Sequence, residues 1–399
     1  MKFFRKIHLW LSVPFGVIIT LVCFSGAMLI FEPEITRAIK SDVYYVDASK
    51  GAPLPMGELM ETVKATLPDS ISITGVTVFH DKERAWQVSL SKPKRASLFI
   101  DQYTGKITGK YERLGFFSTM FKLHRWLLDG ANPHGDGPKI GKLLVGISTL
   151  IFIIALITGI VIWWPRARRG LKRSLSISFK DGWRGFWKNL HVAGGMYALI
   201  FVLAMALTGL TWSFSWYRTA FYAVCGVEHT PRNMTVSNKG KNDSETDHRG
   251  QKEREGGQRE GRLHGGRGDA SGEHRGSRHR SEFGRWQGIY EQLKLQNPDA
   301  PQITIGNETA NVSLGTLGNG RAADKYEFSR RKGEITSVTR YDDALPADKL
   351  RGWIYAVHTG SWGGMLTRIL WLLGALLGAS LPLTGYYIWI KHMGKKRPR

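Results

Sequence analysis

Four stretches of this chain are almost free of charge. Leu9–Phe31, Leu143–Trp164 and Ile369–Ile390 each run for over twenty residues without Asp, Glu, Lys or Arg, and Leu190–Tyr217 does so with His191 as its only titratable group. A hydrocarbon core about 30 Å thick is crossed by roughly 20 helical residues, so each run is long enough to span a bilayer. The competing reading is a buried helix in a large soluble protein. Four such runs, each closed by Lys or Arg, argue against it. The pattern predicts a mainly α membrane protein with a four-helix transmembrane bundle.

Between the spans the periodicity changes. Met56, Met60, Val63 and Leu67 fall on one helical face, and Trp286, Ile289, Tyr290 and Leu293 do the same later in the chain. β-Prone runs follow each: Ile71–Phe79, Ala85–Leu90 and Ala96–Ile100, then Ile303–Gly306, Ala310–Leu314 and Tyr326–Ser329. Gly105 and Gly333 read as turn residues of a terminal hairpin in each set. Each outer segment is therefore expected to be a small α+β unit, one helix on an antiparallel sheet.

These units form a repeat. His8 is followed by Ser25-Gly26, and His191 by Thr208-Gly209 at the same offset; Thr158-Gly159 precedes Trp163 as Thr384-Gly385 precedes Trp389. L-P-D-S-I-S-I-T (67–74) resembles N-P-D-A-P-Q-I-T (297–304), and D-Q-Y-T-G-K-I-T (101–108) resembles S-R-R-K-G-E-I-T (329–336). The chain reads as a 2+2 internal repeat. Its predicted order is span one (1–32), outer unit one (33–115), interfacial helix and span two (116–165), basic link (166–188) and span three (189–218). Outer unit two (219–350), an interfacial segment with span four (351–391) and a basic tail (392–399) complete it. Residues 230–284, rich in Gly, Arg, Glu, Ser and His, interrupt the second unit. So polar a segment cannot offset its ordering entropy and is expected to be a disordered tether; weak capture of a metal or anion by His248, His264, His274 and His279 is the sharper alternative.

Charge sets the orientation. Lys2, Arg5 and Lys6 precede span one, Arg166, Arg168, Arg169, Lys172, Arg173, Lys180, Arg184 and Lys188 crowd the link, and Lys391, Lys395, Lys396, Arg397 and Arg399 follow span four. Both termini and the link are expected in the cytoplasm, the two long connections outside. The net charge of +23 comes partly from these anchors and is no argument for nucleic acid. Span one is too long for a signal-peptide core and lacks a clear cleavage site, so a retained anchor is expected. Cys23 and Cys225 are the only cysteines and provide neither a disulfide framework nor a thiolate metal site.

Four of the twelve histidines occupy equivalent places in the repeat. His8 and His191 stand at the inner mouths of spans one and three, and His124 and His358 just before spans two and four on the outer side. From His8 to Gly26 a helix covers roughly 27 Å, nearly a full crossing. The expectation is two pairs, one per membrane face: His8 with His191, and His124 with His358. Histidine is a usual axial ligand of haem iron, and bundles place cofactors between facing helices. Two stacked b-type haems with these four histidines as iron ligands would give an electron path through the membrane; the bland reading is that interfacial histidines merely anchor helices. His134 and His392 are substitute candidates. Trp10, Trp126, Trp163, Trp164, Trp353, Trp362 and Trp389 read first as an aromatic belt, second as aids to electron transfer.

The K-I-H-L-W-L start, the D-Q-Y-T-G-K-I hairpin at Asp101–Ile107, the T-G-x-x-x-W span ends and H-T-G-S-W-G-G at 358–364 resemble the PepSY-associated transmembrane family along nearly the whole chain. The resemblance implies two small PepSY-like periplasmic domains on an inner-membrane bundle. Haem-containing reductases of ferric siderophores share this architecture, which implies an oxidoreductase passing electrons to a periplasmic iron chelate. Reduction weakens the grip of hard oxygen ligands on iron. No G-x-G-x-x-G fingerprint follows a strand and the basic link is too short for a flavin or nicotinamide domain, so the donor is expected to be a separate cytoplasmic reductase or membrane quinol. Two alternatives belong to other classes: a non-enzymatic envelope protein that binds or regulates a peptidase or other periplasmic partner, and a permease. The absence of acidic residues from the spans counts against the permease.

Overall fold

The computed structural model describes residues 1–93, 95–130, 140–180, 182–228, 283–329 and 331–393. His134, the histidines of the 230–284 insertion and the last six residues lie outside them. Two residues assigned to the insertion are described. Phe283 is buried in the core of the second outer segment and Gly284 opens its helix, so that segment begins earlier than its polar composition suggests.

Four helical stretches are long and apolar enough to cross a membrane: Lys2–Leu29, Ile140–Arg169, Gly182–Ser213 and Ser361–Met393. The first is helix α1. Beyond it α2 (Glu32–Ile39), α3 (Ser41–Tyr44) and α4 (Met56–Ala65) lead into strands β1 (Ile73–Phe79), β2 (Trp86–Leu90), β3 (Ser97–Ile100) and β4 (Ile107–Lys110). Helix α5 (Gly115–Trp126) returns the chain to the bundle and α6 (Ile140–Arg169) is the second long helix. After α7 (Leu171–Ser174), the third stretch is built from α8 (Gly182–Asn189), a π-helical turn at Leu190–Gly194 and α9 (Gly195–Ser213). Then come α10 (Ser215–Val224), α11 (Gly284–Gln296), β5 (Gln302–Gly306), β6 (Thr309–Ser313), β7 (Ala323–Phe328) and β8 (Ile335–Thr339). Helix α12 (Pro346–Thr359) and the long α13 (Gly364–Met393) close the chain.

In the bundle α1 lies against α6 and α13, and α9 against the same two helices. Ile19, Phe152, Leu156, Ala198 and Val202 fill the centre. Val17, Ile157, Ile200, Leu373 and Leu383 point outward and remain exposed, the surface a hydrocarbon solvent would cover. Packing there cannot rely on hiding apolar groups from water, so close backbone approach matters more.

The outer strands differ from expectation in one respect. They form a single eight-stranded antiparallel sheet in the order β4-β3-β2-β1-β5-β6-β7-β8, not two separate ones. The join is the β1–β5 pair, which sets Gly75 opposite Gly306 and Val78 opposite Ile303. A β-carbon on Gly75 would lie 2.7 Å from the carbonyl oxygen of Ile305, so a bare backbone is needed at this seam. Thr77 and Thr304 share a hydroxyl–hydroxyl bond of 2.9 Å across it. Helices α4 and α11 pack together on one face, where Met56, Met60, Val63, Trp286, Ile289 and Leu293 form one core with Val76, Val88, Ile305 and Val312. The Gln287 side chain caps α4 by accepting from the Met56 amide at 2.8 Å. Gly105 and Gly333 take the expected turn conformation, at φ 74° and 72°.

Ion pairs tie α2 to α13 and to the segment that leads from β4 into α5. Arg368 of α13 forks onto both carboxylate oxygens of Glu34 at 2.6 and 2.7 Å, donates to the Ile30 carbonyl and lies over the Phe31 ring. Those hydrogen bonds from Arg368 hold the Glu34 carboxyl below its usual range. Arg113, just before α5, reaches back to Glu32 at 2.5 and 3.1 Å and covers Phe121. Helix α5 is thereby fixed at both its approach and its body.

Candidate functional site: two facing histidine pairs

His8 lies in the second turn of α1, and His191 in the π-helical turn ahead of α9. A π turn rotates the residues around it relative to a regular helix, and such turns are frequent where a side chain must be aimed. The two imidazoles face one another with centroids 6.3 Å apart and planes at 84°. At the sheet end of the bundle His124, in the last turn of α5, faces His358, in the last turn of α12, with centroids 6.0 Å apart and planes at 54°. The structure therefore brings together the residues paired by their positions in the sequence. The pairs are separated along α1 by roughly 27 Å, the length from His8 to Gly26, which packs on His124.

Each ring is held by a frame on a neighbouring helix, and the four frames share one spacing. His8 Nδ1 bonds to the carbonyl of Ala155 at 3.0 Å and to the hydroxyl of Thr158 at 3.0 Å. His191 Nδ1 meets the Leu381 carbonyl at 3.1 Å and the Thr384 hydroxyl at 2.9 Å. His358 Nδ1 meets the Met205 carbonyl at 3.0 Å and the Thr208 hydroxyl at 3.2 Å. His124 Nδ1 meets the Val22 carbonyl at 2.9 Å, with Ser25 one turn on. In every frame the hydroxyl, three residues after the carbonyl, also donates to it, at 2.9 to 3.2 Å.

The residue after each hydroxyl, four beyond the carbonyl, is glycine, and it forms the floor under the ring. A β-carbon would stand 2.8 Å from His124 Cε1 at Gly26, 3.1 Å from His358 Cε1 at Gly209, 3.4 Å from His191 Cε1 at Gly385 and 3.7 Å from His8 Cε1 at Gly159. The Ser/Thr-Gly dipeptides that mark the repeat in the sequence are thus the surfaces on which the histidines rest. Their role was missed because each partner ring sits on another helix. The signal available was that the four dipeptides at corresponding places in the spans equal in number the four histidines at the span ends.

A carbonyl oxygen only accepts, so each Nδ1 carries the proton and each Nε2 keeps its lone pair. Metal-ligating histidines ordinarily donate their other ring N–H to a carbonyl in this way. With a metal–nitrogen bond of about 2 Å, two imidazoles sharing one ion have ring centroids about 6 Å apart, which both pairs match. Among the described residues no group of three or more His, Cys, Asp or Glu is arranged to hold a metal ion. The donor set at each end is two imidazoles, which suits an ion whose equatorial ligands arrive with it, as in haem. The residues present fit that group.

Other candidates are placed apart. His392 is exposed at the end of α13, and His134 lies outside the described residues. Trp10 and Trp164 are exposed on the bundle exterior, as belt residues are. Trp362 packs edge-on against Trp371. One aromatic not singled out by the sequence touches the site: Trp212 of α9 stands edge-on to His358 at 5.1 Å and is itself partly exposed.

Comparison with known sequences agrees with this architecture. The profile described as the PepSY-associated TM region matches residues 5–392. No individual curated protein matches the chain.

Proposed function

The chain belongs to the PepSY-associated TM family, and from that premise we propose that it is a di-haem oxidoreductase of the bacterial inner membrane. It passes electrons from a cytoplasmic reductase or quinol to a ferric siderophore or similar iron chelate in the periplasm. The observation that carries this reading is the recurrence, at both ends of the bundle, of two imidazoles about 6 Å apart with Nδ1 bonded to a backbone carbonyl. In this reading His8 and His191 hold the cytoplasmic iron and His124 and His358 the periplasmic one. The basic link and both termini are cytoplasmic, as the Lys and Arg distribution favours. The chain is a duplicated unit, and each half of the outer sheet is one PepSY-like domain.

Haem bound at each pair supplies a one-electron carrier in a medium that otherwise excludes charge. The protein's own residues do the rest. A carbonyl at every ring, joined by a threonine hydroxyl at His8, His191 and His358, fixes the ring orientation and holds the proton on Nδ1. Apolar walls such as Ile19, Phe152 and Leu156 keep water from the interval between the pairs. Trp212 lies between His358 and the exterior, where a chelate can approach.

The test is an absorbance spectrum of the detergent-purified protein before and after dithionite, with haem counted as pyridine haemochrome. Two low-spin b-type haems per chain, reoxidised by a ferric chelate, support the reading. A protein that stays colourless when haem is supplied overturns it and leaves the outer sheet as a docking surface for an envelope partner.

A further inference from the structure

The four frames are alike in spacing and in their carbonyl bonds, at 2.9 to 3.1 Å, but not in their hydroxyl contacts, and that inequality follows the two ends of the bundle. At the His8–His191 pair both Nδ1 protons are shared between a carbonyl and a threonine hydroxyl, the hydroxyls at 3.0 and 2.9 Å. At the other pair His358 has its hydroxyl at 3.2 Å. His124 has the Val22 carbonyl alone; the Ser25 hydroxyl bonds to the carbonyls of Leu21 and Val22 at 2.6 and 3.1 Å and makes no bond to the ring. The glycine floors follow the same division: the β-carbon clearances at Gly385 and Gly159 are 3.4 and 3.7 Å, against 2.8 and 3.1 Å at Gly26 and Gly209.

We infer that these frames grade the two sites, holding the His8–His191 pair at a lower reduction potential than the His124–His358 pair. The inference rests on the di-haem reading above. The reason is electrostatic. An acceptor on Nδ1–H draws that proton outward, leaves more electron density on Nε2 and makes the ring a stronger donor. A stronger axial donor favours ferric over ferrous iron, so hydrogen bonding of the axial ligand is one of the levers that set a haem's potential. Thr158 and Thr384 are on this account positioning and tuning residues, with Thr208 the weaker counterpart at the far pair. The two sites then form a downhill step from the basic end of the bundle to the sheet end.

Potentiometric titration of the full-length, haem-loaded protein in detergent tests this, with haem per chain counted in parallel. His124→Ala and His8→Ala, each leaving one pair intact, assign the two midpoints. The expected result is a lower midpoint for the His8–His191 site. In T158V/T384V that midpoint rises toward the other and haem affinity at the site falls about 10-fold, whereas T158S/T384S restores both. S25A moves neither, because its hydroxyl does not reach the ring. A lower midpoint at His124–His358, or T158V/T384V with both haems bound and both midpoints unmoved, overturns the grading and leaves the di-haem reading standing. A colourless wild type overturns both.

Discussion

Gly26 lies directly beneath the imidazole of His124, so close that a β-carbon there would stand 2.8 Å from Cε1. At Gly159 the same carbon would stand 3.7 Å from His8, an ordinary contact. Gly26→Ala must therefore displace the ring or its helix, while Gly159→Ala needs no movement. We expect Gly26→Ala to lose most of one haem per chain and about 1–3 kcal/mol of stability, and Gly159→Ala to keep both haems. Haemochrome counting and thermal melting of the two variants check this; equal haem loss in both would contradict the close approach.

Substitution of the four histidines proposed as haem ligands should divide by pair. His8→Ala and His191→Ala are each expected to remove one haem, and combining them should remove no more than either alone. His124→Ala combined with His8→Ala should leave none. The absorbance of the reduced low-spin band reads this directly. A second haem lost in the His8–His191 double variant would mean the sites are not independent.

The single core under the outer sheet makes a different prediction. Trp286 belongs to α11 yet packs in one cluster with Met60 and Val88 from the first outer segment. Trp286→Ala should cost about 3–5 kcal/mol and raise amide exchange in α4 and β2 as well as in α11. Hydrogen exchange confined to residues 283–339 would show that the two halves of the sheet are energetically separate.

Acid should loosen the joint between α2 and α13. The Arg368 hydrogen bonds depress the Glu34 carboxyl, so their stabilisation is fully present above its unfolded value and is lost as pH falls through the lower folded one. Melting temperature is expected to drop on acidification below about pH 4.5, and Glu34→Gln should be less stable by about 1 kcal/mol at neutral pH with a flatter acid limb. An unchanged pH profile in that variant would remove Glu34 from the account.

The spans and the histidine pairing were legible in the sequence because a bilayer limits what the chain can do. Uncharged length gives the crossings, and His8, His191, His124 and His358 stand at the ends of crossings. The continuous sheet was not legible. Alternation along Ile73–Phe79 says which face is buried but not which strand lies beside it, and the partner that joins the halves, Gln302–Gly306, is distant in sequence. The frames were visible only in part, because the bond from His8 to Thr158 runs between helices and leaves no local trace. Phe283 was lost among polar neighbours, one ring in a run whose composition outweighed it.

The central β1–β5 pairing also sets an order of manufacture. When residues 73–79 leave the ribosome, the segment that will cover their open side, residues 302–306, has not been made. Two further long apolar helices must be synthesised first. Throughout that interval β1 is a bare edge with unpaired amides and carbonyls, the kind of edge that recruits stray strands. In the finished sheet β1 is covered on both sides, by β2 and β5, so a nascent chain halted before residue 302 should aggregate through β1 where the complete chain does not.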